Sequence, residues 1–507
     1  MRASVSRIRS RGPPDENGPV LHSELLDRWD AFEAEPGHPF TIPGHKHRAE
    51  EIWPELGDVN DSDVPLFGGI GAVKEASAIL EQAEARTAAA WGADWCRYST
   101  GGSTQSNQAI ALAVAQPGDE VLVARNAHRS TLSGLIIAGL VPVWLVPDVV
   151  DGLLVGITRE TLAAAIKAHP SAKAVFLVEP SYVGTISDRE ALIQLAHANG
   201  IPVIIDQAWG AHLGFHEGYP AHAMALGADA MVFSAHKTLP AYSQSSVVFA
   251  RTDRLDRDRL ERGFEVGNTT SPAGSILAST DAATILLRSP EGHRLLDDLL
   301  VRATDARQRL RDAGFTVPGP DTHRIDPAKL VIRLPTGGGQ ALERRLLGHG
   351  YGPEQADETM VLPILTMLDE PAATHRLIEE VIAHGAEGPG LPPITASIDV
   401  IDNGPSGLPP MRLTPREAFF APHETVAASD AIGRVSAEII APYPPGIPVL
   451  VPGEEITKRT LAELRSARRG GVRIAYAADP SLETYQVVAE APKRRLGRRE
   501  RAGRARS

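Results

Sequence analysis

The 507-residue chain has a single cysteine, Cys96, which excludes an internal disulfide framework and fits a reducing compartment. Cys96 itself reads as a small buried hydrophobe beside a strand. No apolar run reaches the roughly 20 residues that a membrane-spanning helix needs. The stretch from Met1 to Pro19 carries Arg2, Arg7, Arg9 and Arg11 but lacks the apolar core of a signal peptide. Basic charge is scarce: 51 Lys and Arg stand against 63 Asp and Glu, a net charge of -12. A phosphate-binding surface needs the opposite balance, so nucleic acid is excluded as the main partner. Internal repeats are absent too. These absences leave a soluble, cytoplasmic globular protein as the expectation.

What is present is ordinary globular composition, 43% hydrophobic and 22% charged, spread over enough chain for two to four structural units. Between about 75 and 250 the pattern alternates. Apolar runs at 121–124, 141–146, 174–178, 203–205, 231–233 and 247–250 read as strands. Helical stretches at 77–91, 105–115, 159–169 and 189–199 lie between several of them. Continuous apolar strands alternating with helices predict an α/β fold with a mostly parallel sheet covered on both faces. Ligands in such sheets bind beyond the carboxyl ends of the strands. Weaker strand signals and the Gly337-Gly338-Gly339 interruption mark a second unit, and a Pro-dense segment at 442–448 falls in a third. The expected division is an arm at 1–40, a large domain at 41–290, a small domain at 291–400, a C-terminal α+β domain at 401–490 and a basic disordered tail at 491–507.

The residues just past the strands carry the chemistry. Lys237, in Ser234-Ala235-His236-Lys237-Thr238, follows the 231–233 strand. Desolvation in the crevice would lower its pKa and make it a Schiff-base nucleophile, although a lysine in a turn is also an ordinary solvated side chain. Asp206 ends the 203–205 strand, where a carboxylate can pair with a pyridinium nitrogen or simply cap a helix. Gly101-Gly102-Ser103-Thr104 opens a helix and offers glycines, hydroxyls and amides to an anion. His128 follows the 121–124 strand, where an imidazole can stack on a flat ring or pack structurally.

In this order the pieces resemble the Orn/Lys/Arg decarboxylases, a family using pyridoxal 5'-phosphate (PLP). The likeness runs from Pro43-Gly44-His45-Lys46 through Arg125-Asn126-x-His128, Pro180-Ser181-Tyr182, Asp206-x-Ala208-Trp209 and Gln244-Ser245-Ser246. It continues through Thr270-Ser271-Pro272, the 441–448 segment and Pro452-Gly453-Glu454. The resemblance implies the aspartate-aminotransferase-like fold (PLP fold type I) and decarboxylation of lysine, arginine or ornithine. It makes Lys237 the cofactor-bearing lysine, Asp206 the partner of the ring nitrogen and His128 the stacked imidazole. Gly102, Ser103, Thr104, Ser234 and His236 would hold the phosphate, with Ala208 and Trp209 beside the cofactor. His236 is, with Lys237, a candidate to return a proton to Cα. Thr270 and Ser271 would reach a partner subunit's phosphate, which implies a homodimer or dimer of dimers with shared sites. About 40 residues precede Pro43, too few for the N-terminal wing of larger members or its decameric assembly.

Gly101, Gln207, Ala273, Gly274 and Arg48 depart from the family pattern, and Gly274 and Arg48 bear on substrate identity. The rivals are transamination or oxidation of a basic amino acid, with Arg333 or Arg345 clamping the α-carboxylate, and a non-catalytic regulatory homologue. His45, His47, His212 and His216 are assigned no metal, because Gly214 and Gly218 disfavour the helix that would pair the last two.

Overall fold

The computed structural model describes residues 21–34, 78–334, 338–357, 359–385, 408–443, 446–469 and 472–489. The Pro43–Lys46 motif, Arg48, both tails and the Gly388–Pro393 connection lie outside them.

A seven-stranded sheet forms the large domain: β1 (Trp95–Ser99), β2 (Glu120–Ala124), β3 (Val141–Leu145), β6 (Val175–Val178), β7 (Val203–Asp206), β8 (Ala230–Ser234) and β9 (Ser246–Ala250). The short hairpin of β4 (Asp148–Val150) and β5 (Leu153–Gly156) stands apart from it. Strand order is β1-β9-β8-β7-β6-β2-β3. The four pairings from β8 to β3 are parallel, and β9 pairs antiparallel with both β8 and β1. Every residue of β7, β8 and β9 is buried, as expected of strands covered on both faces. Each fully buried Val, Ile or Phe there contributes about 1.5–3 kcal/mol.

The chain leaves β2 for β3 on one side and returns to β6 on the other. The crevice between β2 and β6 is therefore the switch point where α/β sheets bind ligands. The carboxyl ends of β2, β7 and β8 open on this side: His128 follows β2, Asp206 ends β7 and Lys237 follows β8.

The next unit packs helices Pro290–Asp312, Gly339–Gly348 and Pro371–Gly385 with a small antiparallel sheet. Its strands β10 (Ile332–Arg333), β11 (Gln355–Ala356) and β12 (Met360–Leu362) run in the order β10-β12-β11. The last unit has its own core around Ile440, Leu450, Leu464 and Tyr485. It meets the large domain through Val451, which packs with Leu132 and Ile136. A buried ion pair fixes the same seam. Arg125, one residue past β2, donates to the carbonyls of Pro448 and Val449 and to the Glu454 carboxylate at 3.4 Å. Among the described residues no helix is long and apolar enough to cross a membrane.

Candidate active site

A cavity of about 770 Å³ opens at the switch point, and Lys237, Asp206, His128 and His236 all line it. Gly102, Ser103, Thr104, Ala208, Trp209 and Ser234 line it as well. Thr270 and Ser271 do not: they stand exposed, with Ser271 N bonded to Thr269 Oγ1.

Lys237 sits in the single helical turn Ala235–Thr238 that follows β8. Its Nζ lies 4.2 Å from the centroid of the Trp209 ring. Burial pushes its pKa down, against the opposing pull of Asp206 and Glu354. An amine held this way loses its proton more readily and becomes the better nucleophile.

Asp206 ends β7 almost wholly buried, at 5% exposure. Burial raises its pKa, and two hydrogen bonds oppose the rise: Asn107 Nδ2 to Oδ2 at 2.7 Å and Ala208 N to Oδ1 at 3.0 Å. Asn107 also donates to Ser130 Oγ at 2.9 Å, and that hydroxyl lies 2.9 Å from His128 Nδ1. A continuous chain of hydrogen bonds thus joins the carboxylate to the imidazole. His128 caps the Arg129–Ala138 helix, its Nδ1 accepting from Ser130 N. Burial first, then Lys237 and Arg129, pushes its pKa down to about 4. The ring is therefore neutral near pH 7, with its proton on Nε2.

The Gly102–Val114 helix points its N-terminus at the cavity, and its cap residue Gly101 supplies no side chain to satisfy the first-turn amides. Gly102 turns into the helix at φ +67°, which a glycine adopts without strain. Hydroxyls gather here. Ser103 Oγ lies 2.7 Å from Ser234 Oγ and 3.2 Å from Ser246 Oγ, which Ser106 also reaches at 3.1 Å. Rotatable hydroxyls around a helix N-terminus form an anion cradle. His236 commits Nδ1 to the Ser245 carbonyl at 2.7 Å, so only Nε2 remains for a ligand. The cradle, the buried carboxylate and the buried amine on one cavity fit a flat anionic cofactor with a basic ring nitrogen. Asn126 Oδ1 adds a buried acceptor on the same wall with no hydrogen-bond partner.

Sequence reasoning missed Asn107, Ser246 and Lys329. Asn107 was signalled by its spacing, one helical turn beyond Ser103. Ser246 was visible only as part of the Gln244-Ser245-Ser246 motif. Lys329 comes from far along the chain and places its buried Nζ 4.2 Å from the Trp209 ring. Of the two arginines weighed as carboxylate clamps, Arg333 lines the cavity and donates to the Asp151 carbonyl. Arg345 pairs with Glu380 instead. His212 and His216 fall in turns and pair with Asp326 and Asp297. Among the described residues no cluster of three metal-ligating side chains forms.

Comparison with known proteins gives the family. The model for the Orn/Lys/Arg decarboxylase major domain matches residues 34–330, and that for the C-terminal domain matches 402–470. An arginine decarboxylase of Bacillus subtilis is 30% identical over 89% of this chain and 94% of its own. The constitutive lysine decarboxylase of Escherichia coli is 28% identical over 75% of this chain and 66% of its own. Among solved structures, the Francisella novicida lysine decarboxylase superposes with a TM-score of 0.79 at 20% identity, covering 93% of this chain and 82% of its own. The chain belongs to the Orn/Lys/Arg decarboxylase family.

Proposed function

We propose that this protein decarboxylates a basic L-amino acid, with PLP seated in the switch-point cavity. Meeting of Lys237, Asp206 and His128 on that one cavity carries the reading. Ser103, Thr104, Ser234 and the Gly102–Val114 helix terminus would hold the phosphate, with His236 Nε2 beside them. Bound PLP supplies an electron sink for the bond broken at the substrate Cα.

The chain's own groups do the rest. Asp206, steadied by Asn107 and the Ala208 amide, keeps negative charge where a ring-nitrogen proton needs it. His128, neutral and fixed by Ser130, presents a flat face without competing charge. Trp209, set edge-on against Tyr182 at 5.2 Å, forms the cavity wall beside Lys237. In the net reaction the C–C bond to the carboxylate breaks, CO2 leaves and a proton returns to Cα. Lys237 Nζ and His236 Nε2 are the two groups on this wall that can deliver it.

The family favours this reaction over transamination, and so does Arg333, whose guanidinium is already engaged with the Asp151 carbonyl. The exposed Thr270 and Ser271 suit a homodimer in which each subunit completes its partner's phosphate site, and the protein acts in the cytoplasm. Incubating the PLP-loaded protein with L-arginine, L-lysine or L-ornithine tests the reaction. Equal amounts of CO2 and amine are expected; keto acid without CO2 would end the decarboxylase reading.

A further inference from the structure

We propose that Glu354, with Gln355 beside it, receives the cationic end of the substrate's side chain. This inference rests on the reading of the cavity given above and names the part of it that recognises substrate.

Both residues line the same cavity as Lys237. They stand at the start of β11, pinned by the bond from Glu354 N to Leu362 O at 3.0 Å and by the pairing of Gln355 with Leu362. Tyr182 donates its hydroxyl to Glu354 Oε1 at 3.2 Å, which orients the carboxylate from the large-domain side. Among the described residues no cation forms an ion pair with Glu354. Gln355 is 8% exposed, yet its Oε1 has no hydrogen-bond partner. A buried acceptor left unmet costs about 1–3 kcal/mol, so a donor arriving with the ligand would relieve it. Asp357, the other carboxylate on this wall, is occupied: its Oδ1 accepts from Thr359 N, Thr359 Oγ1 and Met360 N at 2.7–3.0 Å.

A carboxylate with no ion-pair partner, on the same cavity as an amide oxygen with no donor, suits a positively charged group with several N–H bonds. An ammonium offers three and a guanidinium five, and neither accepts. Such a group identifies an α-amino acid with a cationic side-chain end.

The test compares PLP-loaded wild type with Glu354→Gln, using L-arginine, L-lysine, L-ornithine and the neutral L-norleucine. Dissociation constants are read by stopped flow from the rapid change in cofactor absorbance on mixing, before the reaction that follows. The variant should weaken binding of the preferred basic amino acid ~10-fold or more, with norleucine unchanged. Equal affinity of wild type and variant for every basic amino acid would overturn the assignment. CO2 release by the wild type, measured in the same samples, judges the decarboxylase reading separately from these affinities.

Discussion

Lys237 and Lys329 each place Nζ 4.2 Å from the centre of the Trp209 indole. One ring face or edge holding two ammonium groups is costly unless one of them is readily deprotonated. Lys329 is buried with no hydrogen-bond partner for Nζ. Burial pushes its pKa down to about 8 against the pull of Asp326, and Lys237 lowers it further. Coupling between two charges is reciprocal, so a charged Lys329 also makes Lys237 easier to deprotonate. Lys329→Met, similar in bulk, should leave PLP bound and move the pH midpoint of the bound cofactor's visible absorbance upward. An unchanged midpoint would deny the coupling.

Asp206 depends on Asn107. Replacing Asn107 with Leu removes the 2.7 Å donor to Oδ2 and leaves a buried carboxylate one bond short, a loss of about 1–3 kcal/mol. Asp206 would then protonate at higher pH, so the acid limb of the kcat profile should rise and kcat should drop roughly ten-fold or more. Asp206→Asn should retain PLP and lose most activity throughout. An acid limb unmoved in Asn107→Leu would remove Asp206 from its assigned place.

Glu179 gives a stability prediction with a definite sign. Burial raises its pKa to about 7 from 4.5, although Ser187 and Arg189 oppose the rise. The folded protein therefore keeps a proton that the unfolded chain has released. This stabilisation is complete below about pH 4.5 and fades as pH rises through 7. Glu179→Gln retains the acceptor for Ser187 N, bonded at 3.0 Å, without the titration. The variant should gain stability relative to wild type between pH 5 and pH 8, by about 3 kcal/mol at most. Urea unfolding at the two pH values checks it; a constant difference would contradict the assigned protonation.

The Arg125–Glu454 pair ties the C-terminal unit to the strand that positions His128. Both side chains are nearly inaccessible, at 5% and 0%. Glu454→Ala should cost about 3–5 kcal/mol by stranding the guanidinium. Arg125→Met combined with Glu454→Leu should recover part of that loss. Melting temperatures of the three variants decide it, and additive losses would mean the two residues act independently.

The sheet was legible in the sequence where its strands are wholly apolar, because burial on both faces leaves no polar alternation. Strand β1 escaped notice since Trp95-Cys96-Arg97-Tyr98-Ser99 breaks its apolar run with Arg97, which turns outward to Glu84 and Glu261. The antiparallel turn of β9 had no local signature. Lys237, Asp206 and His128 were readable because each sits just beyond an apolar strand. Glu354, Gln355 and Lys329 were not, since tertiary packing brings the first two to the cavity and the third to Trp209 from the second unit. Arg125 was visible in a motif, but its partners at 448–454 lie more than 300 residues away.

The central claim is that Lys237, not its neighbour on the same indole, carries the cofactor. Reducing the PLP-loaded protein with borohydride and mapping the pyridoxyl-labelled peptide tests it directly. The label should fall on Lys237, and Lys237→Ala should remove both label and turnover. A label on Lys329, or on any other lysine, would contradict the account.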